Sequence, residues 1–254
     1  MEDEQFAIAA RALLNEGSAY IVGAQLDKEL KRLQDELIDL GVIVERTIVE
    51  SADVLDQGRV EEAQRLIEAD SEINRRRYTI EWDALVLIAR QQPMAKDLRN
   101  LAAILEIAGE LERIADYAKG IAKITVQLSA KPLIKPLVDI PRMAALSSDM
   151  LHRALLSFVD KDIQAARSIP AEDQKIDAMN DQVYRELMTY VLSDPRNIDG
   201  ASHLMWVAHN LERTADRAVN ICERVIFTVT GDQVEFDYLD QDLPEGRKLL
   251  KMAQ

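Results

Sequence analysis

The acidic segment LERIADYAKGI, Leu111 to Ile121, returns as LERTADRAVNI at Leu211 to Ile221. Seven of the eleven positions are identical, and the two copies lie 100 residues apart. Such a match indicates an internal duplication, in which two modules of similar plan follow each other along the chain. Each copy holds a Glu and an Asp four residues apart, a spacing that an α-helix places on one face. Because like charges on one face repel, the duplicated pair predicts a cation or a basic partner there.

Apolar residues at helical spacing run through nearly the whole chain. On a first long helix they alternate steps of four and three residues, at Leu26, Leu30, Leu33, Leu37, Leu40 and Val44. The pattern predicts further helices over about 59–91, 94–129, 140–160, 161–192 and 198–230. Gly231 is the expected C-terminal stop of the last one. With only nine Gly and seven Pro in the chain, we predict an all-α protein of two pseudo-symmetric antiparallel three-helix bundles.

Prolines near the middle of the chain predict the boundary between the two bundles. Pro132 and Pro136, followed by Pro141, do not fit a helix interior. The predicted organisation is an N-terminal extension over 1–24, a first bundle over 25–130, a Pro-containing linker over 131–139, a second bundle over 140–231 and an acidic C-terminal tail over 232–254. For the extension, an additional amphipathic helix and a frayed end are both open.

Composition narrows the classes of function. The formal net charge of −14 disfavours nucleic acid, because phosphate contacts need clustered Lys and Arg, and suits metal cations or basic protein surfaces. No stretch approaches the ~18 apolar residues of a membrane span, so an integral membrane protein is not expected. The single Cys222 excludes internal disulfides and fits a reducing compartment, and the N-terminus lacks signal-peptide features. We therefore expect a soluble, cytoplasmic protein.

Carboxylates also stand beside the apolar stripe on the second helix of each half. Asp70 lies four residues after Leu66 and three before Ile73, and Asp173 has the same spacing to its own apolar neighbours. A carboxylate that faces a bundle interior is costly unless it is protonated, paired or metal-bound. Oxygen ligands suit hard cations such as Mg²⁺, Ca²⁺ or Mn²⁺, and carboxylates also bridge iron. These positions are therefore compatible with metal sites.

Other interpretations of the acids stay open at this point. A single acidic pair is most often a solvated helix face, and Arg113 and Arg213 are available as basic partners within the bundle. Two matched copies, each with acids on the preceding helix, make the metal interpretation about as strong as the interpretation of a solvated helix face. A carboxylate-bridged metalloenzyme is a further alternative, but the sequence lacks the paired Glu-x-x-His motifs of di-iron bundles, a phosphate loop and a nucleophile elbow. We therefore do not expect an enzyme.

The duplicated motif resembles the signature of the PhoU family, the accessory regulators of bacterial phosphate-specific transport. That family carries a twice-repeated E(D)xxxD helix motif, which corresponds here to 112–116 and 212–216. Further matching segments are IARQQPMAKDLR at 88–99, EDQKID at 172–177, LMTYVLSDPR at 187–196 and NICE at 220–223. The resemblance covers about residues 25–236 and preserves their order and spacing.

The resemblance implies two pseudo-symmetric three-helix bundles and a role in restraining phosphate uptake and phosphate-starvation signalling when phosphate is plentiful. It implies as partners the ATPase of the phosphate ABC transporter and a phosphate-sensing histidine kinase. Bundles of this kind can also pair as homodimers. Divalent or trivalent metal ions (Fe, Mn, Mg or Ca) are implied on the acidic motifs. By position, the ligand candidates are Asp70, Glu112, Asp116, Asp173, Asp177, Glu212 and Asp216.

The sequence departs from the family pattern in two places. Ala115 and Ala215 stand before the final Asp of each motif, where the family commonly has Gly, and the extra methyl group is expected to tighten the site. Asn74 replaces one carboxylate of the first half, so the first site is expected to be less acidic than the second. Residues 1 to about 20 have no counterpart in the resemblance.

Overall fold

The computed structural model describes residues 2–129 and 132–236, with side chains described from residue 25 onward. In these ranges we number the α-helices α1 Glu2–Gln57, α2 Val60–Gln91, α3 Lys96–Leu128, α4 Asp139–Asp160, α5 Ile163–Ser168, α6 Asp173–Ser193 and α7 Ile198–Thr230. Short 3₁₀ turns at Ile169–Glu172 and Pro195–Asn197 precede α6 and α7. The described residues contain no strand, so the predicted all-α class is confirmed.

Two antiparallel bundles share one hydrophobic core. Helices α1, α2 and α3 contact one another and form the first half, while α4 to α7 form the second half. The halves meet where α3 packs on α7 and where α1 packs on α4. The predicted leucine stripe of α1 is confirmed, since Leu33, Leu37 and Val44 have no exposed surface. The continuous buried core includes residues from both halves, so burial of apolar surface stabilises the pair of bundles together.

Two glycines with a left-handed backbone conformation follow the ends of α1 and α7. Gly58 (φ +65°) joins α1 to α2, and Gly231 (φ +84°) ends α7 as predicted. Glycine adopts positive φ readily because it has no Cβ. Arg59, next to Gly58, forms ion pairs with Asp53 on α1 and Glu62 on α2. Side chains from both helices therefore brace this turn.

The prediction of one helix over 161–192 is wrong. The segment divides into α5, a 3₁₀ turn and α6. Pro170 lies in that turn, and proline cannot donate a backbone hydrogen bond or fit its ring within a helix interior. Asp162 begins α5 by accepting hydrogen bonds from the backbone of Gln164 and Ala165. The break makes Asp173 the first residue of α6, and this position brings its carboxylate close to the N-terminal end of the helix.

The N-terminal end of the chain differs from the prediction, and most of the C-terminal tail lies outside the described residues. Helix α1 begins at Glu2, so the backbone of the predicted extension over 1–24 is continuous with the first long helix, while its side chains lie outside the described residues. Residues 130, 131 and 237–254, which include most of the predicted tail over 232–254, also lie outside them. Within the described ranges, none of the helices combines the length and apolar character needed to cross a bilayer.

Candidate functional site

Charged residues interrupt the inner seam of α2. Four residues follow one another at steps of seven along this helix: Ala63, Asp70, Arg77 and Ala84. Both alanines are fully buried, and Asp70 is only 6% exposed. Spacing of seven keeps successive side chains on one face of a helix. Asp70 is therefore a carboxylate within the bundle interface, as its place beside the apolar stripe predicts.

An internal lysine meets the acids of the first half. The Nζ atom of Lys119 on α3 donates to Asp70 Oδ2 at 2.7 Å and also lies 3.3 Å from Asp116 Oδ1. The side-chain amide of Asn74 donates to the same Asp70 Oδ2 at 2.9 Å. The hydrogen bond to Asp70 raises the pKa of Lys119, which keeps the amine charged. Two of the predicted ligands of this half are thus held by an ammonium group.

Glu112 belongs to the same group of charges, which we name the first-half cluster (Asp70, Glu112 and Asp116). Burial raises the pKa of Glu112, and the negative charges of Asp116 and Asp70 raise it further, while Arg77 and Arg113 oppose these effects. The structure therefore brings the three predicted first-half acids into electrostatic contact.

The four predicted acids of the second half form a second-half cluster: Asp173, Asp177, Glu212 and Asp216. Burial, followed by the negative charges of Asp177, Asp216 and Glu212, raises the pKa of Asp173 to about 7. The Oδ1 atom of Asp173 is buried and has no hydrogen-bond partner. A buried acceptor without a donor is costly, and a cation beside it would remove both that cost and the repulsion among the carboxylates.

Basic residues near the second-half cluster were not identified from the sequence. Nδ1 of His209 lies 3.1 Å from Glu212 Oε2, and this contact raises the pKa of the imidazole. Arg153 on α4 donates to Asp149 and to Glu172, each at 2.8 Å. Because Glu172 precedes Asp173, Arg153 anchors the start of α6. The three-residue spacing of His209 and Glu212 could have predicted their contact, because such residues are neighbours on a helix surface. The Arg153 contact depends on tertiary packing and has no such signal.

The motif arginines have partners outside the seven predicted ligands. Arg113 lies 3.6 Å from Glu110 on its own helix. Arg213 on α7 donates to the hydroxyl of Tyr117 on α3 at 3.2 Å. The first contact lies within α3, and the second joins the two halves.

The two clusters differ in how they fit a metal ion. In the described part of the chain, no three His, Cys, Asp or Glu side chains are grouped closely enough to hold a metal together. In the second half, the unpartnered Oδ1 of Asp173 and the mutual repulsion of the carboxylates suit an added cation. In the first half, Lys119 already supplies a positive charge to Asp70 and Asp116. An added cation would therefore offset uncompensated negative charge in the second half, whereas in the first half Lys119 already offsets part of it.

A cleft of about 610 Å³ opens between α3 and α7, and its lining includes Asp116, Lys119, Lys123, His203 and Trp206. Nε2 of His203 lies 3.0 Å from the side-chain oxygen of Gln127 across this cleft. The cleft therefore borders the first-half cluster at the acid that Lys119 contacts.

Comparison with known proteins finds a family model and relatives that span most of the chain. The model of the PhoU domain matches residues 37–125 and 140–225, which contain the two clusters. The phosphate-specific transport system accessory protein PhoU homolog of Xylella fastidiosa (strain 9a5c) is 35% identical over 87% of this chain and 93% of its own length. The homolog with that description from Aquifex aeolicus is 35% identical over 85% of this chain and 98% of its own. The crystal structure of PhoU from Pseudomonas aeruginosa superposes with a TM-score of 0.77 at 31% identity, over 81% of this chain and 99% of that one.

Proposed function

This chain belongs to the PhoU family, and on that premise we propose that it is an accessory regulator of phosphate transport. In this role it restrains the phosphate ABC transporter and the phosphate-starvation response when phosphate is plentiful. The observation that carries the proposal is the near full-length match, because the relatives named as transport accessory proteins are covered over 93% and 98% of their length. The resemblance to a Streptococcus pneumoniae protein described as a phosphate transport system regulatory protein, with a TM-score of 0.76 at 29% identity, adds support.

The proposed partners are the ATPase of the transporter and the phosphate-sensing histidine kinase. An adaptor works by presenting surfaces to other proteins, and a chain with a formal net charge of −14 favours basic patches on them. Pairing of two copies as a homodimer is part of this proposal. We place the protein in the cytoplasm, where the nucleotide-binding subunit of a transporter and the catalytic part of a sensor kinase would be accessible to it.

We further propose that the second-half cluster binds a metal ion through Asp173, Asp177, Glu212 and Asp216. An all-oxygen donor set suits Mg²⁺, Ca²⁺, Mn²⁺ or iron. When bound, the metal supplies positive charge that offsets the repulsion among the carboxylates. Arg153 would hold the start of α6, and with it Asp173, through Glu172. His209 would compete with the metal for Glu212, because its ring nitrogen already lies beside that carboxylate.

An adaptor explains the observations better than a carboxylate-bridged metalloenzyme. Such an enzyme needs an open coordination position beside a substrate cavity. The cleft between α3 and α7 reaches Asp116, but Lys119 lies beside that acid and would repel a metal there. The acids of the second-half cluster are not among the residues that line this cleft.

The regulatory role is tested by deleting the gene and measuring uptake of radiolabelled phosphate and expression of starvation genes in phosphate-rich medium. We expect both to rise, and to return to wild-type levels when the intact gene is restored. A variant with Asp173→Asn and Glu212→Gln is expected to restore control poorly, whereas Glu68→Gln, an exposed carboxylate on α2, restores it fully. Unchanged uptake and expression in the deletion strain would contradict the proposed function.

A further inference from the structure

The two halves carry different residues around their matching acids. Aligning the duplicated segments places Lys119 of the first copy opposite Val219 of the second. On the preceding helix, Asn74 stands four residues after Asp70, where the second half has Asp177 four residues after Asp173. The first half therefore has one carboxylate fewer and one ammonium group more than the second.

The contacts of Asp70 fill one of its two carboxylate oxygens with donors from the protein. Its Oδ2 atom accepts from Lys119 Nζ at 2.7 Å and from Asn74 Nδ2 at 2.9 Å. Both lone pairs of Oδ2 are therefore used, which is two of the about four acceptor sites of the carboxylate. Asp70 is 6% exposed, so these two donors replace most of the water that an exposed carboxylate would have.

We propose that Lys119 takes the place of a metal ion in the first half, so that this half is closed to metal and only the second half can take one. The inference rests on the metal-binding part of the proposed function and refines it. The ammonium group performs in the first half what a cation would do in the second, because it neutralises a buried carboxylate and bridges α2 to α3. A metal entering beside Asp70 would have to displace Lys119 and would then face its charge at short range, which is unfavourable at low dielectric.

This difference assigns separate roles to the two copies of the motif. Since the lysine is covalently part of the chain, the first half keeps its cation whether or not metal is present. The second half depends on the supply of metal. Any effect of metal on the stability of the protein must therefore act through α6 and α7.

The test uses the full chain, freed of metal with EDTA and dialysed against Mn²⁺, with bound Mn measured by elemental analysis. We expect Glu212→Gln to lower the bound Mn²⁺ strongly and Glu112→Gln to leave it unchanged. Loss of Mn²⁺ in Glu112→Gln comparable to that in Glu212→Gln would overturn the inference.

A gain-of-site variant examines Lys119 directly. Asn74→Asp with Lys119→Val gives the first half the residues of the second, and we expect about one additional Mn²⁺ per chain, removed again by Glu112→Gln. Mn²⁺ should also raise its melting temperature more than that of the wild type, because a ligand stabilises the state that binds it. The matched control is Asn74→Asp with Lys123→Val, since Lys123 is exposed one turn further along α3. A folded variant that binds no more Mn²⁺ than this control would overturn the inference.

The reciprocal change keeps the test decisive if the gain-of-site protein does not fold. Val219→Lys puts an ammonium group into the second half, and we expect it to abolish Mn²⁺ binding there; unchanged binding by the folded variant would count against the inference. Failure of the proposed metal binding is separable from failure of the inference. If the wild type binds no Mn²⁺ and the gain-of-site variant does, the proposed metal binding by the second half is contradicted, and the role of Lys119 is supported.

Discussion

The indole ring of Trp206 on α7 lies directly over Gly120 of α3. A Cβ added at Gly120 would come within 2.3 Å of the ring atom Cη2, which is closer than two carbon atoms can approach. Helices α3 and α7 carry the two copies of the duplicated motif, and their packing joins the halves. The missing side chain at Gly120 therefore allows a close contact across the pseudo-symmetric interface.

Gly120→Ala is expected to displace the Trp206 ring and to destabilise the fold by about 1 kcal/mol, the low end of the cost of overpacking, because the ring is 43% exposed and can shift. The measurement is urea unfolding together with the emission maximum of Trp206 in a Trp82→Phe background, which should shift to longer wavelength. Gly109→Ala is the control on the same helix, because no atom lies within 4 Å of its added Cβ. That control should stabilise the helix by about 0.5–1 kcal/mol. Equal stability of the two variants would show that the ring does not constrain Gly120.

Asp173→Asn is expected to stabilise the metal-free protein at pH 8 by about 1–2 kcal/mol, a value discounted for partial solvent exposure. The folded-state pKa of about 7 lies above the ordinary value of 3.8, so ionisation of Asp173 opposes folding. The contribution of Asp173 to the free energy of unfolding is fully present below a pH of about 4 and is lost as the pH rises through about 7. The gain from Asn should therefore disappear in acid.

Urea unfolding in EDTA at pH 4, 6 and 8 checks this dependence. Asp160→Asn serves as the control, because Asp160 is an exposed carboxylate at the end of α4. A stability difference for Asp173→Asn that is the same at all three pH values would contradict the predicted ionisation.

Arg153→Gln is expected to weaken Mn²⁺ binding by the second half roughly tenfold, the lower end of the effect of outer-sphere residues on metal affinity. Arg153 contacts Glu172 at 2.8 Å, and without that contact the first turn of α6 would hold Asp173 less firmly. Titration calorimetry measures the affinity. Arg142→Gln, an exposed arginine on the same helix, should bind Mn²⁺ as the wild type does, and an equal loss in both variants would exclude a specific role for Arg153.

The sequence was sufficient for the fold class because its signals are periodic and repeated. The leucine stripe of α1 predicts one buried helix face, and Leu33 to Val44 lie on it as expected. The duplication predicts two halves of similar plan, and the two matches of the PhoU domain agree with it. Gly231 ends α7 as a left-handed cap. Each of these features can be recognised from the order and spacing of residues, without knowledge of which helices are in contact.

The break at Pro170 and the contact between Lys119 and Asp70 were not predicted from the sequence. Pro170 was overlooked within an apolar pattern that otherwise suits one helix over 161–192, and the chain breaks there instead. Lys119 lies within the duplicated segment, and its ammonium group reaches Asp70, 49 residues away. No sequence spacing reports a contact between helices at that separation. The two sequence signs that the first half differs are Asn74 in place of a carboxylate and Lys119 opposite Val219.

Anomalous scattering from crystals soaked in Mn²⁺ tests most directly the claim that the two acidic motifs hold different cations. We predict a manganese peak beside Asp173 and Glu212 in the second half, with the ammonium group of Lys119 still bound to Asp70 in the first. A manganese peak beside Asp70 and Glu112, or full soaking without a peak beside Asp173, would contradict that claim.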